Sequence, residues 1–279
     1  MKKWNMIVDV ARCNNCYNCF VATKDEYVDN DHPGYAAPQP LHDHNWVDIE
    51  RKEAGQWPMV QAHFRPVMCN HCDDAPCMKA ATDGAIKKRD DGIVIIDPER
   101  AKGQKQIVDA CPYGAVYWNE ERQIPQAWPF DAHLLDRGWE KTKIEKVCPT
   151  GALRSLKVTD EDMQKLAADD QLETLEPRDG AKPRVYYRNA HLFNAAFIGG
   201  TIVTEADGRE DCVEGVTIIA LHDGQEIGRA VSDAFGEFRI EQLEEGLGKV
   251  ALKIESGSTS LTLDVDLEQS VYVGCISII

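Results

Sequence analysis

The chain has 279 residues, an apolar fraction of 43% and a formal net charge of −16. This fits one large or two ordinary folded domains with real cores, and the acidic balance excludes nucleic acid and anionic membrane surfaces, which demand clustered Lys and Arg. No apolar run reaches membrane-spanning length, so no direct membrane insertion is expected.

The opening MKKWNMIVDVARC holds too short an apolar stretch for a secretory signal, which predicts a cytoplasmic protein. Ten cysteines in such a chain point to metal or redox chemistry before disulfides. Eight of them precede residue 150, and that asymmetry predicts a domain boundary behind them.

The first signal in chain order is CNNCYNCFVATK at Cys13. Cys13, Cys16 and Cys19 have the spacing of a bacterial ferredoxin, but Thr23 and not a cysteine stands at the fourth position. Asn14, Asn15 and Asn18 between them suit tight turns and left-handed backbone that point amides at cluster sulfurs, or are plain loop composition. Residues 20–68 then form a long insertion made irregular by Pro33, Gly34, Pro38 and Pro40, which is expected to face a partner. His42 and His44 within it are a possible metal pair, with a solvated or interface loop the stronger reading.

A second trio follows at Cys69, Cys72 and Cys77, with the looser C-x2-C-x4-C spacing. Next comes a repeated frame: ATDGAI at Ala81, CPYGAV at Cys111 and CPTGAL at Cys148. The first copy has lost its cysteine and proline, so Ala81 reads as a vacated ligand position. In two-cluster ferredoxins the cysteine before proline ligates the other cluster. Each trio therefore borrows a remote donor, and two trios with two Cys-Pro donors make two 4Fe-4S sites. The nested pairing joins Cys69, Cys72 and Cys77 to Cys111, and Cys13, Cys16 and Cys19 to Cys148.

The absences are grouped in the same way. A trio belonging to Cys111 falls on Ala101, Gln104 and Ile107, with Ala81 as its partner; one belonging to Cys148 includes Ile144 and, by extension, Trp128 and Asp131, with Thr23 as its partner. Only Asp131 among these is able to ligate. Structural zinc is the alternative, but it takes two separated C-x2-C pairs in one tetrahedron, whereas a tight trio plus one remote thiolate suits the wider cubane.

Thr159 or Asp160 caps a short predicted helix through Ala168, and Pro177 to Pro183 reads as a linker. From about Phe197 the period becomes two. FIGGTIVTE, GVTIIALH, QEIGRAV, GEFRI, KVALKIE, TSLTLDVD and SVYVGCISI are seven predicted strands, with turns at HDGQ and DAFG. The fold class is thus α+β: nested ferredoxin-like cluster-binding modules over residues 1–186, the inner module about 61–126, then a seven-stranded β-sandwich over 187–279. Cys212 and Cys275 in the latter are packing residues or free thiols, and a disulfide is the lesser reading. No Ser-His-Asp or paired-carboxylate site stands out, so no catalytic residue is assigned.

The nested motifs, the C-N-H-C pair at Cys69 to Cys72 and the CPTGAL closure resemble the iron-sulfur subunits of the dimethyl sulfoxide reductase family of molybdenum enzymes. GIVIIDPERAKGQKQIVDACPYGAVYWNEE, AHLLD at Ala132 and PRVYYRN at Pro183 are similar to the small subunits of aromatic transhydroxylases within it, over most of the chain. The resemblance implies a non-catalytic subunit that accompanies a large catalytic subunit, the latter carrying molybdopterin guanine dinucleotide with molybdenum or tungsten. It implies hydroxyl transfer between trihydroxybenzenes, and an immunoglobulin-like or prealbumin-like C-terminal module. It also implies a third cubane at Thr23, Trp128, Asp131 and Ile144; with no cysteine there, two clusters are expected, and Trp128 and Ile144 are expected to fill the volume. The alternatives are net hydroxylation or dehydroxylation of phenols such as resorcinol or catechol, an assembly subunit without a redox role, and a free-standing ferredoxin. The insertion and the β domain count against the last.

Overall fold

Strand β1 (Lys3–Asp9) is bonded along both edges, which suits its run of six buried residues from Trp4 to Asp9. In the computed structural model, which describes residues 1–175, 180–206, 208–257 and 259–278, β1 belongs to a compact unit of residues 1–51 and 64–190. A second unit comprises residues 52–63 and 191–279.

In the first unit, helix α1 (Asn18–Tyr27) starts inside the first cysteine trio, after Tyr17 takes a left-handed turn at φ 59°. Strands β2 (Val47–Gln56) and β3 (Met59–Met68) pair as a hairpin whose ends lie in this unit and whose residues 52–63 are counted with the second. Short pieces follow: α2 (Pro76–Ala80), β4 (Ile86–Lys88), β5 (Val94–Ile96), α3 (Gln106–Asp109), β6 (Tyr117–Asn119), β7 (Ile124–Gln126), α4 (Ala132–Leu135) and α5 (Lys143–Val147). Then β8 (Leu153–Val158) pairs antiparallel with β1, α6 (Asp160–Asp169) intervenes, and β9 (Val185–Arg188) lies parallel on the other edge of β1. Thr159 caps α6 by accepting from the Asp162 amide, as its sequence predicts. The linker expected from Pro177 falls partly outside the described residues, which resume at Gly180.

After α7 (His191–Asn194), the second unit runs through β10 (Ala196–Ala206), β11 (Arg209–Cys212), β12 (Thr217–His222), β13 (Gln225–Val231), β14 (Glu237–Leu243), β15 (Gly248–Ser256), β16 (Thr259–Leu267) and β17 (Val271–Ser277). β14 and β11 pair antiparallel with successive halves of β10 while β17 runs parallel beside it, and a second sheet has the order β13-β12-β15-β16. Alternate residues of both sheets share one apolar core, including Ile198, Ile202, Phe238 and Ile276 from one and Ile218, Leu252, Ile254 and Leu267 from the other. Asp223 and Gly224, both at positive φ, make the two-residue turn expected at HDGQ.

Three sequence expectations differ from the fold. Among the described residues there are eight strands from β10 to β17, one more than the seven expected, because all four residues of β11 are exposed and carry no apolar alternation. The insertion of residues 20–68 is not irregular throughout: it contains most of α1 and the long β2–β3 hairpin, whose charged sequence VDIERKEAGQ masks its strand character. His42 is exposed, but His44 is buried, its ring nitrogen 3.0 Å from the Trp118 carbonyl, so the two are no metal pair and the solvated-loop reading fails for His44.

Candidate metal centres

Local backbone brings the first trio and Cys148 together. Cys13 ends the 3-10 turn Val10–Arg12 directly after β1, Cys19 lies in the first turn of α1, and Cys148 is the C-cap of α5. Pairing of β1 with β8 sets Val8 opposite Leu153, and the Asp9 amide donates to the Ala152 carbonyl over 2.8 Å. A residue met late in the chain is thereby carried to one met early. Cys13, Cys16, Cys19 and Cys148 line one cavity, with Ile49, Pro66 and Leu153 as apolar walls. Of the asparagines, Asn15 is left-handed as expected, whereas Asn18 opens α1.

The second group sits deeper. Cys69 follows β3, Cys77 is the second residue of α2, and Cys111 follows α3. Cys77 and Cys111 pack against a core of Ile86, Val94, Ala101, Ile107 and Val116. Burial pushes the Cys69 thiol far up, and the neighbouring Cys111, Cys77 and Cys72 add to it. Burial likewise pushes Cys72 up to about 12 and Cys77 up to about 11. Thiols that repel one another in a dry site ionise together only when cations enter, which is the chemistry of a cluster donor set.

Cys148 behaves differently. Burial pushes it up, but the Thr150 hydroxyl and the amides of Leu153, Ala152 and Thr150 outweigh burial and hold it below the usual thiol range. The Cys-Pro-x-Gly-Ala frame explains this: Gly151, at φ 64°, turns the chain back so that successive N–H groups face the sulfur. Gly114 repeats the conformation at φ 61° after Cys111. In both frames the glycine amide donates to the cysteine carbonyl over 3.3 Å. The third copy, without proline, closes differently, with Ala85 donating to Thr82.

A clamp around the second group has no signature in the cysteine spacing. Lys88 donates to the carbonyls of His71 and Cys72 and pairs with Asp73 at 2.9 Å; Arg184 also grips Asp73, and reaches Asn5 and Asp160. His71 accepts from the Val94 amide through Nδ1, and burial lowers it to about 3, so it is a neutral acceptor packed against Trp128 and Phe130.

The vacated positions are filled. Ala101 and Ile107 are fully buried and Ala81 partly buried against the same apolar core, and Gln104 ties the segment back by accepting from the Thr82 amide and donating to the Arg100 carbonyl. Trp128 and Ile144 are fully buried, Thr23 bonds the Cys19 carbonyl, and Asp131 accepts from Tyr27 Oη, Trp128 Nε1 and the Lys143 amide at 2.9, 3.0 and 2.7 Å. Its carboxylate is fully engaged in hydrogen bonds. Neither set offers the thiolates a cubane needs, whereas each cysteine group offers four. Cys212 and Cys275 are exposed free thiols.

Residues 60–158 match the 4Fe-4S dicluster domain family. Over its full length the chain is 38% identical to the whole of the pyrogallol hydroxytransferase small subunit of Pelobacter acidigallici. It is 30% identical to a tetrathionate reductase subunit of Salmonella typhimurium, over 66% of this chain and 72% of that one. It is also 30% identical to the thiosulfate reductase electron transfer subunit of Salmonella typhi, over 63% of this chain and 88% of that one. Fold, paired cysteine groups and relatives define an iron-sulfur subunit of the dimethyl sulfoxide reductase family of molybdenum enzymes. Within that class the chain belongs to the family of the pyrogallol hydroxytransferase small subunit.

Proposed function

We propose that the chain serves, as a non-catalytic subunit, a heteromeric enzyme that transfers hydroxyl groups between trihydroxybenzenes, and that its partner is a large catalytic subunit carrying molybdopterin guanine dinucleotide with molybdenum or tungsten. The full-length relationship to the pyrogallol hydroxytransferase small subunit carries this reading. Cys13, Cys16, Cys19 and Cys148 hold one 4Fe-4S cluster, and Cys69, Cys72, Cys77 and Cys111 hold the other. Support comes from the shared cavity of the first group and the mutual repulsion of the second.

When bound, such clusters store and pass single electrons. The chain's own residues place and insulate them. The amides after Cys148 favour its thiolate, and Lys88 fixes the carbonyls of the Cys69 loop. The nested module takes residues 1–51 and 64–190, its inner part about 61–126, and the immunoglobulin-like or prealbumin-like sandwich residues 191–279; the boundary expected at 186/187 would cut β9, which pairs with β1. The core shared by the two β sheets supports the sandwich. A cytoplasmic site agrees with Cys212 and Cys275, the two cysteines outside the cluster groups, standing as free thiols.

The second reading is net hydroxylation or dehydroxylation of a phenol, which needs electrons to travel beyond the enzyme. Against it stands the packing at Trp128, Asp131 and Ile144, where a third cluster would have continued a conducting chain. The test is to purify the native complex, identify its second subunit and metals, and assay phenolic substrates with and without an artificial electron acceptor or donor. Turnover without external electron exchange is expected. A strict stoichiometric requirement for it replaces transhydroxylation with the second reading.

A further inference from the structure

Glu26, His32 and His133 converge from the last turn of α1, the loop after it and α4, with their donor atoms all within 4.8 Å of one another. Glu26 Oε1 lies 2.7 Å from His133 Nε2 and 3.8 Å from His32 Nε2, and the two imidazole rings stand 3.9 Å apart between centroids. Bonds of about 2.0–2.1 Å to a tetrahedral ion set its donors about 3.3 Å from one another. That spacing falls between the two distances observed. We propose that Glu26, His32 and His133 bind one divalent transition-metal ion of the zinc type, apart from the cysteine groups, and that this ion ties the end of α1 to α4.

Two of the three donors are in the right state. Burial lowers His133, so its imidazole is neutral; burial raises Glu26, but the Lys143 and His133 hydrogen bonds outweigh it and keep the carboxylate ionised. Lys143 Nζ donates to Glu26 Oε2 over 2.8 Å while also pairing with Asp25 at 2.6 Å, which orients the carboxylate and leaves Oε1 for the ion. The Tyr27 ring meets both imidazoles edge-on at 5.2 and 5.5 Å, and the Tyr35 ring stands 6.0 Å from His133. His32 lines an open cavity with Asp31, Pro33, Lys87, Asp97 and Arg122, which gives the ion a way in and supplies water as fourth donor.

To ligate, each ring must present an unprotonated Nε2, which now lies 3.1 Å from the Glu26 carbonyl in His32 and 2.7 Å from Glu26 Oε1 in His133, and carry its proton on Nδ1. His133 Nδ1 has no hydrogen-bond partner in the fold, and the buried N–H created there weakens the site relative to a fully braced one. Glu26 lies seven residues after Cys19 on α1, about 10 Å along the helix axis, so zinc and cluster iron can be counted independently.

The test uses the full chain with its clusters intact, in a Cys212→Ser, Cys275→Ser background that removes the two exposed thiols as competing zinc ligands. The protein is equilibrated anaerobically with Zn²⁺ alone, passed through gel filtration and analysed for zinc and iron; affinity is read by competition with a chromophoric chelator. One zinc per chain is expected, with His32→Ala and Glu26→Gln each at least tenfold weaker and the iron content unchanged. His32→Ala is the decisive variant, because its loss leaves the Glu26–His133 contact in place. No zinc retained by the background protein, or equal affinity in it and in His32→Ala, overturns the proposal.

Discussion

In the β unit, seven of the eight strands from β10 to β17 send side chains into or against one apolar core, and β11 alone does not. The cysteine-rich unit has strands and helices of three to five residues over much of its length, and large buried side chains such as Trp46, Trp128, Phe130, Ile107 and Ile144 come from short elements and loops rather than from facing sheets. Polar ties between distant segments add to that burial. Arg184 joins Asn5, Asp73 and Asp160, Asp131 joins Tyr27, Trp128 and Lys143, and Gln104 joins Thr82 and Arg100. A backbone bent to present thiols cannot also satisfy itself in long ladders, so buried side chains do that work. One unit is held by a single core between two sheets, the other by dispersed apolar burial together with specific bonds and whatever its cysteines hold.

The largest effect should come from removing a proposed ligand. Cys69→Ser and Cys111→Ser are each expected to lose about four irons per chain and the same reduced EPR signal, while Cys13→Ser and Cys148→Ser lose the other. Hydrogen exchange should rise through the cysteine-rich unit and stay unchanged from β10 to β17. Matching signal loss in Cys148→Ser and Cys69→Ser would refute the nested pairing. Equal exchange in both units would refute the contrast between them.

The reverse experiment is Leu252→Ala in the β core, where Leu252 is fully buried. A destabilisation of about 2–5 kcal/mol is expected. It should be confined to β10–β17 by hydrogen exchange, with iron and sulfide content unchanged. Loss of iron in this variant would show that the units stand or fall together.

How much of this was legible depended on which physics wrote each region. The β strands were readable because Thr217–His222 and Gly248–Ser256 alternate buried and half-buried residues, the period a half-buried sheet imposes. β11 and β2 were not, because their residues are mostly polar and partner geometry, not burial, makes them strands. The cysteine groups were readable from spacing, since a cluster fixes the distances between its ligands. Lys88, Asp73 and Arg184 were invisible: Arg184 lies 111 residues from Asp73, and only the pairing of β1 with β8 and β9 brings such segments together. The fate of the vacated positions was half legible. Burial of Trp128 and Ile144 followed from loss of the cysteines, but the hydrogen-bond network centred on Asp131 did not.

That network supplies a sharper test of bonds against area. Asp131→Ala leaves Tyr27 Oη, Trp128 Nε1 and the Lys143 amide without their buried acceptor. About 1–3 kcal/mol of stability should be lost. Trp128→Phe removes one donor and keeps most of the volume, so about 1 kcal/mol is expected. Denaturant-dependent hydrogen exchange of α1 and α5 measures both. If Trp128→Phe cost as much as Asp131→Ala, ring volume and not the hydrogen bonds would be holding the site.

The smallest effect concerns a surface tie in the same unit. Arg89 donates to both oxygens of Asp136, at 2.8 Å each, and Tyr35 Oη donates to one of them over 2.7 Å. The Arg89 hydrogen bonds, chiefly, lower the Asp136 carboxyl to about 2. A carboxylate whose folded-state pKa lies below its unfolded value adds stability in full above the unfolded value, about 3.9. That contribution fades as the pH falls from there toward about 2. The pair is partly exposed, with side-chain accessibilities of 28% and 39%, so solvent screens most of the attraction. Asp136→Asn should therefore cost only about 0.2–1 kcal/mol near neutral pH. The deficit should be flat from pH 7 to 5, shrink between pH 4 and pH 3, and diminish in high salt, as the linkage requires. Pulse-labelled hydrogen exchange in α4 across that range reads the difference between wild type and variant. A deficit that grew on acidification would mean that Asp136 is not an ionised partner of Arg89, and that this edge of the unit is held by packing after all.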